Sequence, residues 1–460
     1  MSAPLLWVFP PLVISLLMLL FLDSPRWVKW TGALVMALLA GLAWLLPVGQ
    51  PITFLGREFQ IEAAFFFLGR RLTILDRERP LLMLLFLTYG CWFIAVDTRR
   101  VSIRVVSLGM MGLSLNLAVL GVEPILYAAV LFAFLALVYT LLLSPPPDPV
   151  TPGVLRFLVY QVLGTLLMLF AAWMFSWVDL NAVDRLLLTR AALIMGLSFI
   201  FLLAIFPFTS WITMVAAQNH PYLAAFVFHT QLTGVLLFGF KILSREGWFP
   251  LLRGFQDAVF WAGPLMIVLG GIAAVFSNHL GRTLGAAVIV GIGQALTIAG
   301  ITGVGDRLFF THLIIQGLSL LVWSLSLTLL NPVVKDFQYS SLAGTARQWP
   351  VVFWGLTAAQ MSLAGFPLLA GFPLHWSVIH SLQGAPLSIT GAFLVGNGGL
   401  MLAAGRSFYP MVEGAGEEDV LVLSDRYSAV VLIAGIAALI ALGLFPGLLN
   451  PLLPALEAVF

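Results

Sequence analysis

The chain has 460 residues, of which 61% are hydrophobic and 9% charged, with a mean hydropathy of +1.05. A soluble globular protein carries about a quarter charged residues, so this composition excludes a water-soluble chain and requires an integral membrane protein. The 22 Lys and Arg against 20 Asp and Glu leave a net charge of +2, which offers no basic footprint for nucleic acid, and the single cysteine, Cys91, excludes an intrachain disulfide or a thiol-held metal cluster.

A bilayer core takes about 20 apolar residues per helix, and the polar breaks divide the chain into about fourteen spans, an all-α fold. The first, 4–22, has no basic residue before it and no small-residue cleavage site, and reads as a retained helix rather than a signal peptide. The second is 27–47. The long connection Gly49 to Pro80 interleaves Arg57, Arg70, Arg71, Arg77 and Arg79 with Glu58, Glu62, Asp76 and Glu78. Phe65, Phe66, Phe67 and Leu68 beside Arg70 and Arg71 fit an interfacial amphipathic stretch or a short hairpin, and a solvated cap is the alternative.

Spans 80–97, 101–118 and 121–143 follow. Arg104 to Leu143 runs almost unbroken, with Asn116 and Glu123 as its strongly polar interruptions, and is too long for one span, so a cut is placed near Val119. Ser144 to Gly153, with Pro145, Pro146, Pro147, Pro149 and Pro152, is a stiff extended connector. The remaining spans are 155–178, 187–217, 222–243, 256–276, 283–304, 308–330, 351–383, 386–410 and 428–453. Asp179, Asp184, Arg185 and Arg190 make a solvated loop. The whole, 1–460, is one membrane domain. It divides into N-terminal helices and connection (1–100), a first repeat (101–243), a second repeat (256–410) and a C-terminal helix (428–460).

With both termini outside, the inner loops hold eleven of the 22 basic residues, so the positive-inside rule alone does not choose an orientation. Discounting the mixed-charge connection tips the balance toward termini outside.

Two spans are broken by proline. One reads Phe206, Pro207, Phe208, Thr209, Ser210, Trp211; the other runs from Gly365 through Pro367, Gly371 and Pro373 to His375 and Trp376. Proline deletes a backbone donor and clashes with the preceding turn, so each span divides into half-helices whose freed backbone groups must face protein or water. Pro207 and Pro367 lie 160 residues apart, with the preceding helices at similar offsets, which fits an internal repeat of five helices. Interrupted helices at matching places in two halves point to an ion or substrate pathway; simple kinks are the alternative.

These stretches resemble a family. Phe206 to Trp211 is similar to the "PFHxW" signature, and Leu363 to Trp376 to the "aGxPplaGFxxKw" signature, of the antiporter-like proton-channel subunits. Such subunits occur in respiratory complex I, multisubunit Na+/H+ antiporters, membrane-bound hydrogenases and inorganic-carbon uptake complexes. The resemblance extends over about residues 80 to 410. Asn116 to Glu123 resembles the run into the family's fifth-helix glutamate, Gly153 to Phe157 the start of its sixth helix, and Leu280 to Gly293 its "dlKRllAYSSIxxxG" run. It implies fourteen helices, two inverted five-helix repeats, broken helices seven and twelve, and a central line of charges that relays protons. Departures are plain: Leu202, Leu232 and Leu320 stand where the family carries lysine, Gly281 precedes Arg282 where it carries a Lys-Arg pair, and His375 replaces the twelfth-helix lysine.

The titratable groups left inside the spans are few. Glu123, before Pro124, reads as a proton-accepting carboxylate or as a residue at the membrane surface. His375 reads as a relay end or gate, or as a neutral ring donating to carbonyls freed at the break. His229 and His312, with Gln231 and Gln316 near them, read as parts of a proton path or as packing histidines. Lys241 reads as a snorkelling side chain, and Arg156 and Arg282, at family positions, as possible supports or headgroup anchors. No His, Cys or carboxylate cluster has metal-ligand spacing, and there is neither a phosphate-cradling glycine loop nor a nucleophile motif, so no metal, cofactor or catalytic residue is expected. Partners then supply any chemistry, as in an NADH/quinone oxidoreductase-type translocase.

Two functions follow. One is a membrane-arm subunit of a complex I-like assembly that moves protons or Na+ together with other membrane subunits. The other is a non-conducting scaffold that anchors a catalytic partner, or a subunit of an Mrp-type or carbon-uptake complex.

Overall fold

A computed structural model describes the chain except residues 1, 22–23, 55–56, 68, 146–148, 178–184, 246–252, 302–304, 333, 335, 414–425 and 460. The expected loop at Asp179 and Asp184, Leu68 of the connection, and Pro146 and Pro147 of the connector lie outside the described residues.

Helices α1 (Ala3–Trp7) and α2 (Phe9–Phe21) make the first span, and α3 (Pro25–Leu45) the second. After the connection come α4 (Arg79–Ala95), α5 (Arg104–Gly121), α6 (Leu126–Leu143) and α7 (Pro152–Phe175). Then follow α8 (Arg185–Leu202), α9 (Ser210–Gln218), α10 (Pro221–Arg245), α11 (Arg253–Phe276), α12 (Leu280–Ala299) and α13 (Gly305–Leu330). A short turn, α14 (Thr345–Gln348), leads to α15 (Pro350–Ala364), α16 (Gly371–Ser381), α17 (Leu387–Val412), α18 (Arg426–Leu444) and α19 (Leu453–Glu457). Proline opens α3, α4, α7 and α15, where its missing N–H costs nothing.

Twelve of the described helices are long and apolar enough to span a membrane, which makes this a multi-pass membrane protein. Two further spans are interrupted: α8 continues into α9, and α15 into α16, as expected around Pro207 and Pro367. At the first break Ala204 takes φ +54°; at the second, Gly365 takes +78° and Leu368 +73°. A left-handed conformation costs a non-glycine residue about 1–2 kcal/mol, so packing around Ala204 and Leu368 must hold it.

The connection is more ordered than a cap. It forms two hairpins, β1 (Pro51–Phe54) with β2 (Arg57–Gln60), and β3 (Ala64–Phe67) with β4 (Arg70–Thr73). A two-residue strand, β5 (Val122–Glu123), joins β4 in the register Arg71↔Glu123. The fold is therefore helical with a small surface sheet. Ala3 N–H donates to the Glu62 carbonyl, and Ala455 and Ala458 line a cavity with Asp76 and Arg79. Both termini thus lie at the hairpin face. From there α8–α9 crosses toward the opposite face and α15–α16 crosses back, so the five-span sets α5–α10 and α11–α17 are inverted copies, each broken at its fourth span.

The three innermost helices are α10, α12 and α13, buried along 94%, 89% and 89% of their apolar stretches, against 17% for α18. Polar side chains in the middle of those three therefore face protein. Glycines let the second repeat close: a Cβ on Gly271 of α11 would lie 2.6 Å from Gly396 Cα of α17. Gly271→Leu is expected to force α11 and α17 apart and lower the thermal midpoint of the detergent-solubilised protein by several degrees. Gly398→Leu, where a Cβ meets nothing within 4 Å, is expected to leave it unchanged.

Candidate functional site

A line of buried polar side chains crosses the bundle between the two breaks. At one end, Gln161 of α7 donates from Nε2 to the Leu202 carbonyl at 3.2 Å, satisfying an acceptor that the first break leaves open. Gln231 of α10 donates to Gln161 Oε1 at 2.8 Å. Two residues earlier, His229 stacks on Trp92 with ring centroids 6.1 Å apart. A Cβ on Gly317 of α13 would lie 2.5 Å from His229 Cε1, so this close approach requires glycine.

The line continues on α13. His312 is buried there, and one turn further on Gln316 packs so closely on α12 that a Cβ on Gly291 would lie 2.2 Å from its Nε2. The Nε2 of His312 is buried with no hydrogen-bond partner among the described residues. At the far end, Gln294 of α12 donates from Nε2 to Asn397 Oδ1 of α17 at 2.8 Å, and the same nitrogen lies 3.3 Å from His375 Nε2. Gly365 seats that histidine, for a Cβ there would lie 2.1 Å from His375 Nδ1. Ser319 donates to Ser362 Oγ at 3.0 Å beside the same break. A side group joins at α10: Tyr89 and Tyr139 hydroxyls lie 3.2 Å apart, and Asn116 donates from Nδ2 to Tyr89 at 3.3 Å.

His229, Gln231, His312, Gln316 and His375 are thus all buried within the bundle, and Pro207 and Pro367 lie at the two breaks; the line through these groups is taken below as the axis. The other expected residues do not join it. Of the two readings of Glu123, its position fits the residue at the membrane surface: α5 runs to Gly121 and α6 starts at Leu126, so the carboxylate falls in the turn between spans. It lies 3.8 Å from Arg71 with its side chain 53% exposed, at the hairpin face. Lys241 donates to the Leu120 carbonyl at the end of α5. Arg156 is exposed, its Nη1 3.5 Å from Ser210 Oγ, and Arg282 is exposed in the first turn of α12. Neither supports the axis. Among the described residues, the buried Lys, Arg, Asp and Glu are Lys29 and Asp97, both at the face opposite the hairpins.

Gln161, Gln294 and Asn397 complete the axis, and the sequence reading did not single them out. Their signal was a lone amide in an apolar span, where an unpartnered polar group costs several kcal/mol.

Outside the spans, His220 lies in the turn before α10, its Nδ1 accepting from Tyr222 N–H at 3.3 Å. Burial pushes its pKa down to about 4, against a partial opposing pull from Asp97. The folded state therefore prefers the neutral ring. Stability contributed here is full above the unfolded value of 6.5 and is lost as pH falls from there toward 4. His220→Asn is expected to flatten the fall in thermal midpoint between those pH values; an unchanged slope would contradict it.

The fold is that of the antiporter-like membrane subunits. It matches a chain of the Mrp complex from Dietzia sp. with a TM-score of 0.80 and 14% identity, covering 99% of this chain and 96% of that one. A chain of respiratory complex I from Thermus thermophilus matches with a TM-score of 0.76 and 18% identity, covering 99% of both chains. A chain of an archaeal membrane-bound sulfane sulfur reductase matches with a TM-score of 0.78 and 17% identity, covering 98% of this chain and 77% of that one.

In sequence, the NADH-quinone oxidoreductase subunit N of Maricaulis maris is 25% identical over 208 residues, 44% of this chain and 42% of that protein. The chain thus matches less than half the length of this curated relative. No family model matches. In sequence over part of its length, and in fold over nearly all of it, the chain is thus similar to membrane subunits of these assemblies.

Proposed function

We propose that the chain is a membrane-arm subunit of a complex I-like energy-coupling assembly and takes part in translocating protons along the axis from Gln161 to Asn397. The carrying observation is the set of three histidines on that axis, with His312 between the other two. Imidazole changes charge near neutral pH, taking a proton at its unprotonated nitrogen and releasing one from the other, so it replaces lysine in a relay without a permanent buried charge. Amides and hydroxyls between the rings hold waters that carry the proton across the gaps. The relay in this reading lacks the charges lost at Leu202, Leu232 and Leu320.

A non-conducting scaffold is the weaker reading. It needs none of the buried amides and rings, and an unpartnered one costs about 1–3 kcal/mol. The partners are other membrane subunits, the membrane is an inner or plasma membrane with the termini on its outer face, and the units of the relay are residues 101–243 and 256–410. Redox or other driving chemistry resides in those partners.

The test is to purify the assembly through this chain, identify the neighbouring subunits, and measure turnover-driven proton transfer in proteoliposomes. Loss of transfer in the variant carrying His229→Gln, His312→Gln and His375→Gln, with the subunits still assembled, supports the reading. Full transfer in that variant refutes it.

A further inference from the structure

A cavity of about 450 Å³ lies between the two five-span sets, walled by α8 and α10 of the first and by α11, α12 and α13 of the second. None of its described wall residues has a polar or charged side chain. Leu236 of α10, Leu296 of α12 and Phe309 of α13 are buried at its back, where Phe309 stacks on Phe240 with ring centroids 4.5 Å apart. At its front Leu193 of α8 is 63% exposed and Ala258 of α11 is exposed, so the cavity opens sideways between these two helices. Both helices are apolar and belong to spans, which puts the opening at the level of lipid tails.

Size and depth decide what fits. An apolar cavity of about 150 Å³ stays dry and takes benzene; this one is three times larger, so it favours a longer hydrocarbon over water. Along α8 its wall runs from Leu193 to Leu203, about 15 Å at 1.5 Å per residue. One leaflet of hydrocarbon is also about 15 Å deep, half of the bilayer core. The shallow end lies on the hairpin side, because Lys241, two residues before the wall residue Leu243, donates to the Leu120 carbonyl at the end of α5. The deep end reaches Leu203 and Ile205, on either side of Ala204 at the first break. Arg190 is exposed one turn before Leu193, on the same face of α8, which sets a cation just above the mouth.

We propose that this cavity seats one acyl chain of a phospholipid from the hairpin-side leaflet, with the lipid phosphate beside Arg190 and the end of the chain against the first break. A tail of leaflet length matches the wall from Leu193 to Leu203. The apolar wall surrounds it with dispersion contacts, and the guanidinium at the mouth complements the phosphate. The lipid fills the seam that the described side chains leave open between the two sets of spans. The site is independent of whether the chain conducts protons.

The test uses the full assembly in phosphatidylcholine vesicles that contain a phosphatidylglycerol with a photoactivatable diazirine on one acyl chain. After illumination, mass spectrometry of this chain locates the label. Leu236 and Leu296, buried from the bilayer and reached only through the cavity, are expected to carry it. A diazirine near the chain end is expected to mark Leu203 and Val235, and one near the carbonyl Leu193 and Leu243. Ala262→Trp, which fills the cavity, is expected to cut this labelling at least about tenfold while other spans are labelled as before. Ala258→Trp, at the exposed mouth, gives the same loss without loading the packed wall. Arg190→Glu, which sets a carboxylate against the phosphate, lowers the labelling severalfold.

Absence of label from Leu236 and Leu296, or label there that survives both tryptophan variants, overturns the site. A reversed order of depth overturns the leaflet, and undiminished labelling in Arg190→Glu overturns the phospholipid as the occupant.

Discussion

Replacing His312 by glutamine is expected to reduce the proton transfer carried by this chain by about a hundredfold or more, the scale of a lost proton-transfer group. That share is read as the difference between the assembly with the chain and without it. Glutamine fills nearly the same space and keeps a hydrogen-bonding side chain between His229 and His375, but it cannot be protonated and handed on. The effect is expected to be large at this position because His312 is buried in the innermost helices and its Nε2 has no hydrogen-bond partner among the described residues. Assembly and thermal midpoint should change little. A drop in transfer that follows a drop in subunit content would point to packing instead.

The second large effect is expected at Gly365. Alanine there meets two obstacles at once. The backbone sits at φ +78°, where an L side chain costs about 1–2 kcal/mol, and the added Cβ would lie 2.1 Å from His375 Nδ1. Leu374 and His375 lie in the first turns of α16, so the ring escapes only by leaving the Gln294 amide. Gly365→Ala should therefore abolish transfer and destabilise the solubilised protein by about 1–3 kcal/mol. Removing the ring as well, in Gly365→Ala with His375→Ala, is expected to recover part of the stability and none of the transfer. That non-additivity is the signature of two residues in contact; additive losses would place His375 elsewhere.

The sequence made the spans and both breaks legible because hydropathy and proline act locally. Twenty apolar residues define a helix wherever it packs, and Pro207 or Pro367 removes a donor in any context. The histidines were legible as types, since few ionisable groups remain inside the spans. What joins them was not. Gln161, Gln294 and Asn397 sit alone in apolar runs with no spacing to one another, and only folding brings Gln294 against both His375 and Asn397.

For Glu123 the choice between a buried and a surface position was illegible for a different reason. The apolar run through Val119 gives no mark of where one helix stops, and the strand pairing of Glu123 with Arg71 depends on a hairpin about fifty residues earlier in the chain. Likewise, Gly365, Gly317 and Gly291 read as ordinary packing glycines until the side chains that fill their space, His375, His229 and Gln316, are placed beside them.

In the proposed relay the axis histidines change protonation while the assembly works. Infrared difference spectroscopy of the assembly during turnover, with the histidines of this chain isotopically labelled, reads that change directly. A labelled imidazole band that appears and decays with turnover, and is lost in His312→Gln, is the expected result. Turnover with coupled proton transfer and no labelled imidazole signal would contradict it.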